Sequence, residues 1–150
     1  MRFAFAGDRD ISVAILNFLL QNGHKPLALL VTEKLKESHA DELMVLSKLD
    51  EQFIFRGHEF KDPKNQTILK ELNLDYIIGI HFPYFIPNSI LSIPKIGFIN
   101  LHPAYLPYNK GWHTPSWGII ENTIYGAALH GRRNRRRRSN KSKALCCFTQ

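Results

Sequence analysis

The sequence has few of the features that mark secreted, metal-binding or membrane proteins. Its only cysteines, Cys146 and Cys147, are adjacent, so they cannot form a disulfide framework or a metal site with spaced ligands. No apolar stretch is long enough to cross a bilayer. Asp8, Arg9 and Asp10 interrupt the N-terminal region, where a secretory signal needs an unbroken apolar run. We therefore predict a cytoplasmic protein with no membrane association and no metal site.

Acidic residues are absent after Glu121, whereas segment 131–150 contains eight of the twenty Lys and Arg residues. Residues 1–130 consequently carry 12 basic and 13 acidic groups, a net charge of −1. This balance offers no broad basic surface for nucleic acid, and we expect no specific nucleic-acid partner. A nucleic-acid-binding module that uses the basic tail is the alternative. Its run at 131–143 contains no aromatic residue and adjoins no recognition helix, which disfavours that reading.

Apolar runs alternate with helical patterns over the first 130 residues. Strands are predicted at 2–7, 25–33, 53–57, 74–82, 97–103 and 123–130, with helices at 11–22, 40–49, 65–73 and 114–122. Strands of this kind, interleaved with helices, predict an α/β fold: a mostly parallel sheet of about six strands with helices on both faces. We assign one domain to residues 1–130. Segment 131–150 is predicted to be a disordered basic tail, because its like charges repel and its run at 131–143 has no apolar periodicity.

A carboxamide and an imidazole lie near the end of the fifth predicted strand. Asn100 and His102 are separated by one residue, so both side chains should point to the same face of the sheet. Acyl transfer needs a fixed dipole for the developing oxyanion and a group that titrates near neutrality to move a proton. Asn100 and His102 could supply both. Alternatively, the two residues only satisfy loop backbone groups at the strand end.

The stretch FINLHPAYLPYNKGWHTPSW at 98–117 closely resembles the signature of the folate-dependent formyltransferases, in which Asn-x-His-Pro precedes a short Leu-Pro, basic-Gly, Pro loop. The resemblance runs from Met1 to about His130 and implies a Rossmann-like sheet. It further implies that Asn100 and His102 are two of three catalytic residues, and that 10-formyltetrahydrofolate is the formyl donor. An acceptor amine would attack the formyl carbon while His102 assists proton transfer and Asn100 stabilises the oxyanion.

Further site residues follow from the same resemblance. The stretch DYIIGIHFPYFIP at 75–87 matches the family segment that lines the pterin pocket, which makes His81, Phe82 and Tyr84 the folate-site candidates. Buried strand packing is the alternative role for that stretch. Arg9 is a candidate for contact with phosphates of the acceptor, or else a solvated side chain. His113 and Trp117 are candidates for contact with a sugar, or else they pack the loop.

The sequence Gly-Trp-His-Thr-Pro-Ser-Trp at 111–117 most resembles the branch that formylates amino groups on nucleotide-linked deoxysugars. Purine-pathway members are expected to have a glycine-rich turn after the first strand, where this chain reads GDRD. The initiator-tRNA branch usually has a downstream RNA-binding domain, which this chain lacks. The resemblance thus favours a nucleotide sugar as the small-molecule partner, with methionyl-tRNA or purine-pathway relatives as alternatives. A family-like homodimer would need the missing C-terminal part.

The third catalytic residue implied by the resemblance, an Asp in an acidic loop of the type E-x-x-D-x-G-D, is absent. This chain has GRRNRRRR in its place, from Gly131 onward. A-rich codons for residues 131–143, read one base later, spell EEEIDEGDLINQ. We therefore hypothesise a frameshift near Gly131 that truncates the domain, and we expect little or no formyltransferase activity from this chain.

Overall fold

The computed structural model describes residues 1–34, 36, 39–102, 116, 120, 126–133 and 144–149. Seven strands lie within these residues: β1 (Phe3–Gly7), β2 (Ala28–Val31), β3 (Ile54–Arg56), β4 (Tyr76–Ile80), β5 (Gly97–His102), β6 (Gly126–Arg133) and β7 (Ala144–Thr149). The α-helices with described boundaries are α1 (Asp10–Gln21), α2 (Ala40–Ser47), α3 (Pro63–Glu71) and α4 (Asn88–Leu91). Two short 3-10 turns, Glu51–Phe53 and Glu59–Lys61, flank β3.

The strands form one sheet in the order β3-β2-β1-β4-β5-β6-β7. The first five pair in parallel, and the β5–β6 and β6–β7 pairs are antiparallel. Sequence order reverses beside β1, because the chain builds outward from β1 to β3 and then returns to β4 on the other side of β1. The predicted α/β fold with a mostly parallel, Rossmann-like sheet is therefore confirmed.

Alternate residues of the central strands pack on opposite faces of the sheet, as the period of two requires. Phe3 and Phe5 of β1 join the core cluster that contains Leu16 of α1 and Leu43 of α2. The intervening alanines of β1 join the cluster on the other face, together with residues of α3 and α4: Ala4, Ala6, Leu69 and Ile90. The two crossovers thus cover both faces. In the part of the chain that the structure describes, the helices are too short or too polar to cross a membrane.

Two predictions for the C-terminal region need correction. β6 continues past His130 to Arg133, with Arg133 opposite Gly97 of β5, and a seventh strand follows at Ala144–Thr149. Backbone pairing explains the first difference, because ladder hydrogen bonds do not depend on side-chain charge. The apolar run ALCCF explains the second, because it can form a strand despite the basic run beside it. Disorder is therefore wrong for 131–133 and 144–149, while 134–143 lies outside the described residues.

Candidate functional site

The centre of the sheet is a topological switch point. β1 leads into α1 on one face, and β4 leads toward α4 on the other. Ligands of open α/β sheets bind where neighbouring strands diverge in this way, beyond the carboxyl ends of the strands. The rim above β1 and β4 is therefore the expected position of a ligand site.

A buried serine fixes the turn that leads from β1 into α1. Ser12 Oγ accepts a hydrogen bond from the Asp8 backbone N–H at 3.2 Å and donates one to the Ile80 carbonyl at 2.7 Å. Gly7 permits this approach, because a Cβ at that position would lie 2.7 Å from the Ser12 Cβ. Ser12 thereby joins the end of β4 to the start of α1 and holds both walls of the rim in place.

A polar cleft of about 260 Å³ opens at this rim. Its lining comes from the ends of β1 and β2 and from the segment after β4: Asp8, Arg9, Thr32, Lys36, His81, Pro83 and Tyr84. Asp8 is buried, and its Oδ2 lies 3.6 Å from Nε of the half-exposed Arg9. The carboxylate therefore orients the Arg9 guanidinium at the edge of the cleft.

Lys36 brings a second cation to the cleft. Its Nζ lies 2.6 Å from Oε1 of Glu33. The hydrogen bond from Lys36, followed by the charge of Lys36, lowers the pKa of the Glu33 carboxyl, and the same contact raises the pKa of the Lys36 ammonium. Both groups are solvent-exposed, so the pair positions the ammonium and adds little to stability.

Tyr84 ties the segment after β4 to the end of β2. Its Oη accepts a hydrogen bond from the Glu33 backbone N–H at 3.2 Å, which leaves the phenolic proton available to a ligand. The Tyr84 ring contacts His58 edge-on, with centroids 4.7 Å apart, and Phe82, with centroids 5.3 Å apart. Phe82 in turn packs on the buried Phe60 at 5.7 Å. These tilted and edge-on ring contacts hold Tyr84 at the wall of the cleft.

Thr32, the residue after β2, differs from the other residues of the cleft. It is only 3% exposed, and its Oγ1 is buried with no hydrogen-bond partner within the described residues. A buried hydroxyl without a partner carries an uncompensated desolvation penalty. The cleft therefore contains one polar group that this part of the protein does not satisfy.

Asn100 and His102 lie two strands away from β1, on β5. They share the face of β5 that also carries Phe98, and both are half-buried. Asn100 is opposite Gly79 of β4, and a Cβ at position 79 would lie 3.2 Å from Asn100 Oδ1. The glycine therefore makes room for the carboxamide. With a strand spacing of roughly 4.8 Å, the β5 pair is about 10 Å from the β1 end of the cleft.

The structure brings together some of the residues that the sequence predicted. Arg9, His81 and Tyr84 line one cleft, and Phe82 packs against Tyr84. His81 has a backbone φ of +54°, a left-handed conformation that turns the chain away from β4. Asn100 and His102 are close to this cleft without lining it. The other two predicted site residues lie outside the described residues: His113 and Trp117.

Sequence reasoning missed four residues of the cleft: Asp8, Thr32, Lys36 and Pro83. Two of them had a usable signal, because Asp8 and Thr32 directly follow predicted apolar strands in a parallel sheet. Pro83 lies in the stretch 75–87 that the resemblance assigned to the pterin pocket, whereas Lys36 had no signal, since it reaches the cleft only through a loop. No group of three or more metal-ligating side chains occurs among the described residues.

An open, mostly parallel sheet with a topological switch point defines a domain of the doubly wound α/β class. Within that class the chain belongs to the formyl transferase family, whose model matches residues 1–130.

Similar sequences include two methionyl-tRNA formyltransferases. The protein from Lachnospira eligens is 28% identical over 131 residues, which are 83% of this chain and 41% of the relative. The protein from Agathobacter rectalis is 32% identical over 126 residues, which are 80% of this chain and 40% of the relative. This chain therefore spans about two fifths of the length of these curated relatives.

Solved structures share the fold at low sequence identity. A sugar N-formyltransferase from a Shewanella species matches with a TM-score of 0.70 and 17% identity, covering 100% of this chain and 57% of the other. Phosphoribosylglycinamide formyltransferase from Bacillus halodurans matches with a TM-score of 0.71 and 15% identity, covering 100% and 80%. At such identities the likeness establishes the architecture and leaves the acceptor open.

Proposed function

We propose that this chain is the core of a formyltransferase that moves a formyl group from 10-formyltetrahydrofolate to an acceptor amine. The carrying observation is the family match over residues 1–130 together with Asn100 and His102 on one face of β5, beside the cleft. The predicted absence of metal chemistry fits this reaction, which needs only proton transfer and oxyanion stabilisation. We also propose a cytoplasmic location, in keeping with the two adjacent cysteines.

Each member of the β5 pair has a separate task in this reaction. The Asn100 carboxamide lies against Gly79, with its Oδ1 3.2 Å from the position of an added Cβ, and in this proposal its NH₂ donates to the oxyanion. His102 accepts a proton from the attacking amine. The new bond joins the amine nitrogen to the formyl carbon, the bond to the donor nitrogen breaks, and that nitrogen takes up a proton.

The residues after β4 suit the donor. Phe82 offers a half-buried aromatic surface backed by Phe60, which fits a flat, partly apolar heterocycle better than a solvated loop would. His81 and Tyr84 supply polar contacts on the same segment. We therefore assign the β4 wall of the cleft to 10-formyltetrahydrofolate, which supplies the one-carbon unit when bound. The β1 and β2 walls, which carry Arg9 and Lys36, are assigned to the acceptor.

A nucleotide-linked amino sugar is our first proposal for the acceptor. Two cations at one cleft, Arg9 and Lys36, suit the phosphates of such a molecule, and the loop at 111–117 resembles that branch. Methionyl-tRNA is the second candidate, supported by the curated relatives. Because this chain spans only about two fifths of those relatives, the RNA-binding domain expected downstream in that branch gives no argument against this candidate.

The missing carboxylate is the reason to expect weak activity. No Asp or Glu follows Glu121, so the acidic loop that the family resemblance implies does not occur at Gly131 onward. Loss of one member of a catalytic unit typically reduces the rate by orders of magnitude. We propose that a frameshift near Gly131 caused this loss. Sequencing the gene decides the matter, because the shifted frame must encode the acidic loop EEEIDEGDLINQ.

Titration and turnover test the proposed function separately. The purified chain should bind 5-formyltetrahydrofolate, a stable reduced folate, in isothermal calorimetry. Replacing residues 131–142 with EEEIDEGDLINQ should raise formyl transfer to an amino-sugar nucleotide, followed by mass spectrometry. In that background Asn100→Ala should reduce the rate by about 10²- to 10³-fold, as expected for loss of an oxyanion donor. A wild-type chain that binds no reduced folate would contradict the proposal.

A further inference from the structure

The buried hydroxyl of Thr32 is a feature of the cleft that the proposed formyl transfer does not use. This hydroxyl has no partner within the described residues, although it belongs to a residue that lines the cleft. Folded proteins satisfy nearly all buried polar groups, and an exception beside a cleft therefore calls for an explanation. A valine has the same shape and would remove the penalty, so shape alone does not account for a threonine here.

The neighbours of Thr32 indicate the kind of ligand that would satisfy it. Lys36 and Arg9 contribute only N–H donors, and their carboxylate partners hold them at the cleft. Three groups that can donate, those of Thr32, Arg9 and Lys36, thus line the acceptor side of the cleft, where the Asp8 carboxylate is paired with Arg9. An oxygen-rich anion accepts from all of them, whereas a neutral donor such as an amide N–H does not.

We propose that the Thr32 hydroxyl is a specificity-determining group that donates a hydrogen bond to a phosphate oxygen of the acceptor, over the end of β2 and between Arg9 and Lys36. This inference rests on the proposed function in one respect, the assignment of the β1 and β2 walls to the acceptor. It adds that the acceptor carries a phosphate ester or diphosphate that reaches beyond α1 to β2. Desolvated, charge-assisted hydrogen bonds of this kind discriminate strongly against ligands that lack the anion.

Conservative variants separate a ligand-binding hydroxyl from a structural one. Thr32→Val removes the hydroxyl and keeps the shape, and Thr32→Ser keeps the hydroxyl. Thr67→Val is the matched control, because Thr67 Oγ1 donates to the Pro63 carbonyl on the exposed face of α3. The probes are thymidine diphosphate, inorganic pyrophosphate and unphosphorylated thymidine. Affinity is measured by calorimetry on the full chain, and the melting temperature is measured without ligand.

Thr32→Val should melt no lower than the wild type, because the hydroxyl it loses has no partner. Its dissociation constants for thymidine diphosphate and pyrophosphate should rise by about tenfold or more, as expected for a hydrogen bond to a charged group. Thr32→Ser and Thr67→Val should retain wild-type affinity for both probes. The affinity for 5-formyltetrahydrofolate should be the same in all four proteins.

Three results would overturn the inference. Unchanged diphosphate affinity in Thr32→Val shows that the hydroxyl does not touch the anion. A lower melting temperature with unchanged affinity shows a structural hydroxyl. A wild-type chain that binds thymidine as tightly as thymidine diphosphate shows that the cleft does not recognise phosphate. These outcomes leave the folate titration untouched, so the inference can fail while the proposed formyl transfer stands, and the reverse also holds.

Discussion

Gly79→Ala tests whether the glycine of β4 places the proposed oxyanion donor. The added methyl would lie 2.7 Å from Cζ of Phe98 and 3.2 Å from Oδ1 of Asn100. Ordinary carbon contacts are about 3.5 to 4.0 Å, so the Phe98 ring must retreat by roughly 1 Å, and the carboxamide by a few tenths of an ångström. Because Phe98 packs against the core cluster beneath α3 and α4, this movement meets resistance. Overpacking of this kind costs about 1 to 3 kcal/mol of unfolding free energy.

Two measurements follow from that reasoning. Urea unfolding should show the loss of about 1 to 3 kcal/mol, and the side-chain NH₂ resonances of Asn100 should shift in a ¹H–¹⁵N spectrum, with Asn100→Asp used for their assignment. Phe98→Leu, combined with Gly79→Ala, should recover part of the stability because it removes the closest contact. The Asn100 shift should persist in the double variant, since that contact is separate.

Gly23→Ala is the control for backbone effects. Gly23 has a φ of +77° and nothing within 4 Å of an added methyl, so its substitution strains the backbone without touching the site. It should leave the Asn100 resonances in place. If Gly79→Ala also leaves them in place and unfolds at the wild-type urea concentration, β4 does not position the carboxamide and the argument fails.

Two further predictions concern the rim. Ser12→Ala should cost about 1 to 3 kcal/mol in urea unfolding, because the Asp8 N–H and the Ile80 carbonyl lose a buried partner; wild-type stability would contradict this. Lys36→Met should raise the pKa of Glu33 toward its ordinary value of 4.5, measured by NMR titration. The lowered pKa of Glu33 in the folded state contributes stability that is present above the pKa of the unfolded chain and is lost as the pH falls through the folded-state pKa. An unchanged Glu33 pKa in Lys36→Met would show that no ion pair forms.

The fold followed from the sequence because its signals are local and repeated. The apolar runs at the centre of the sheet, such as those of β1 and β4, alternate with amphipathic helices, and the glycine at position 23 ends α1 as expected. The period of two along β5 also put Asn100 and His102 on one face. Such inferences need only neighbours in sequence and the geometry of one element.

The cleft could be predicted only in part, because it joins residues from three separate elements. Arg9 and His81 were accessible from the ends of predicted strands, but the convergence of Lys36 and Tyr84 depends on loop paths that no local pattern encodes. The extension of β6 to Arg133 escaped prediction for a different reason. Charge patterns report what side chains prefer, whereas strand pairing there is a property of the backbone.

The left-handed backbone at His81 restricts which residues the end of β4 can accommodate. For residues with a Cβ this region costs about 1 to 2 kcal/mol, with Asn, Asp and His tolerated better than most and β-branched residues tolerated worst. Position 81 therefore has one requirement that the turn sets and, in the proposed folate site, a second that the ligand sets. An asparagine would meet the first and drop the imidazole, while a valine would break the turn itself. A substitution series at this single position thus distinguishes the shape of the rim from its chemistry.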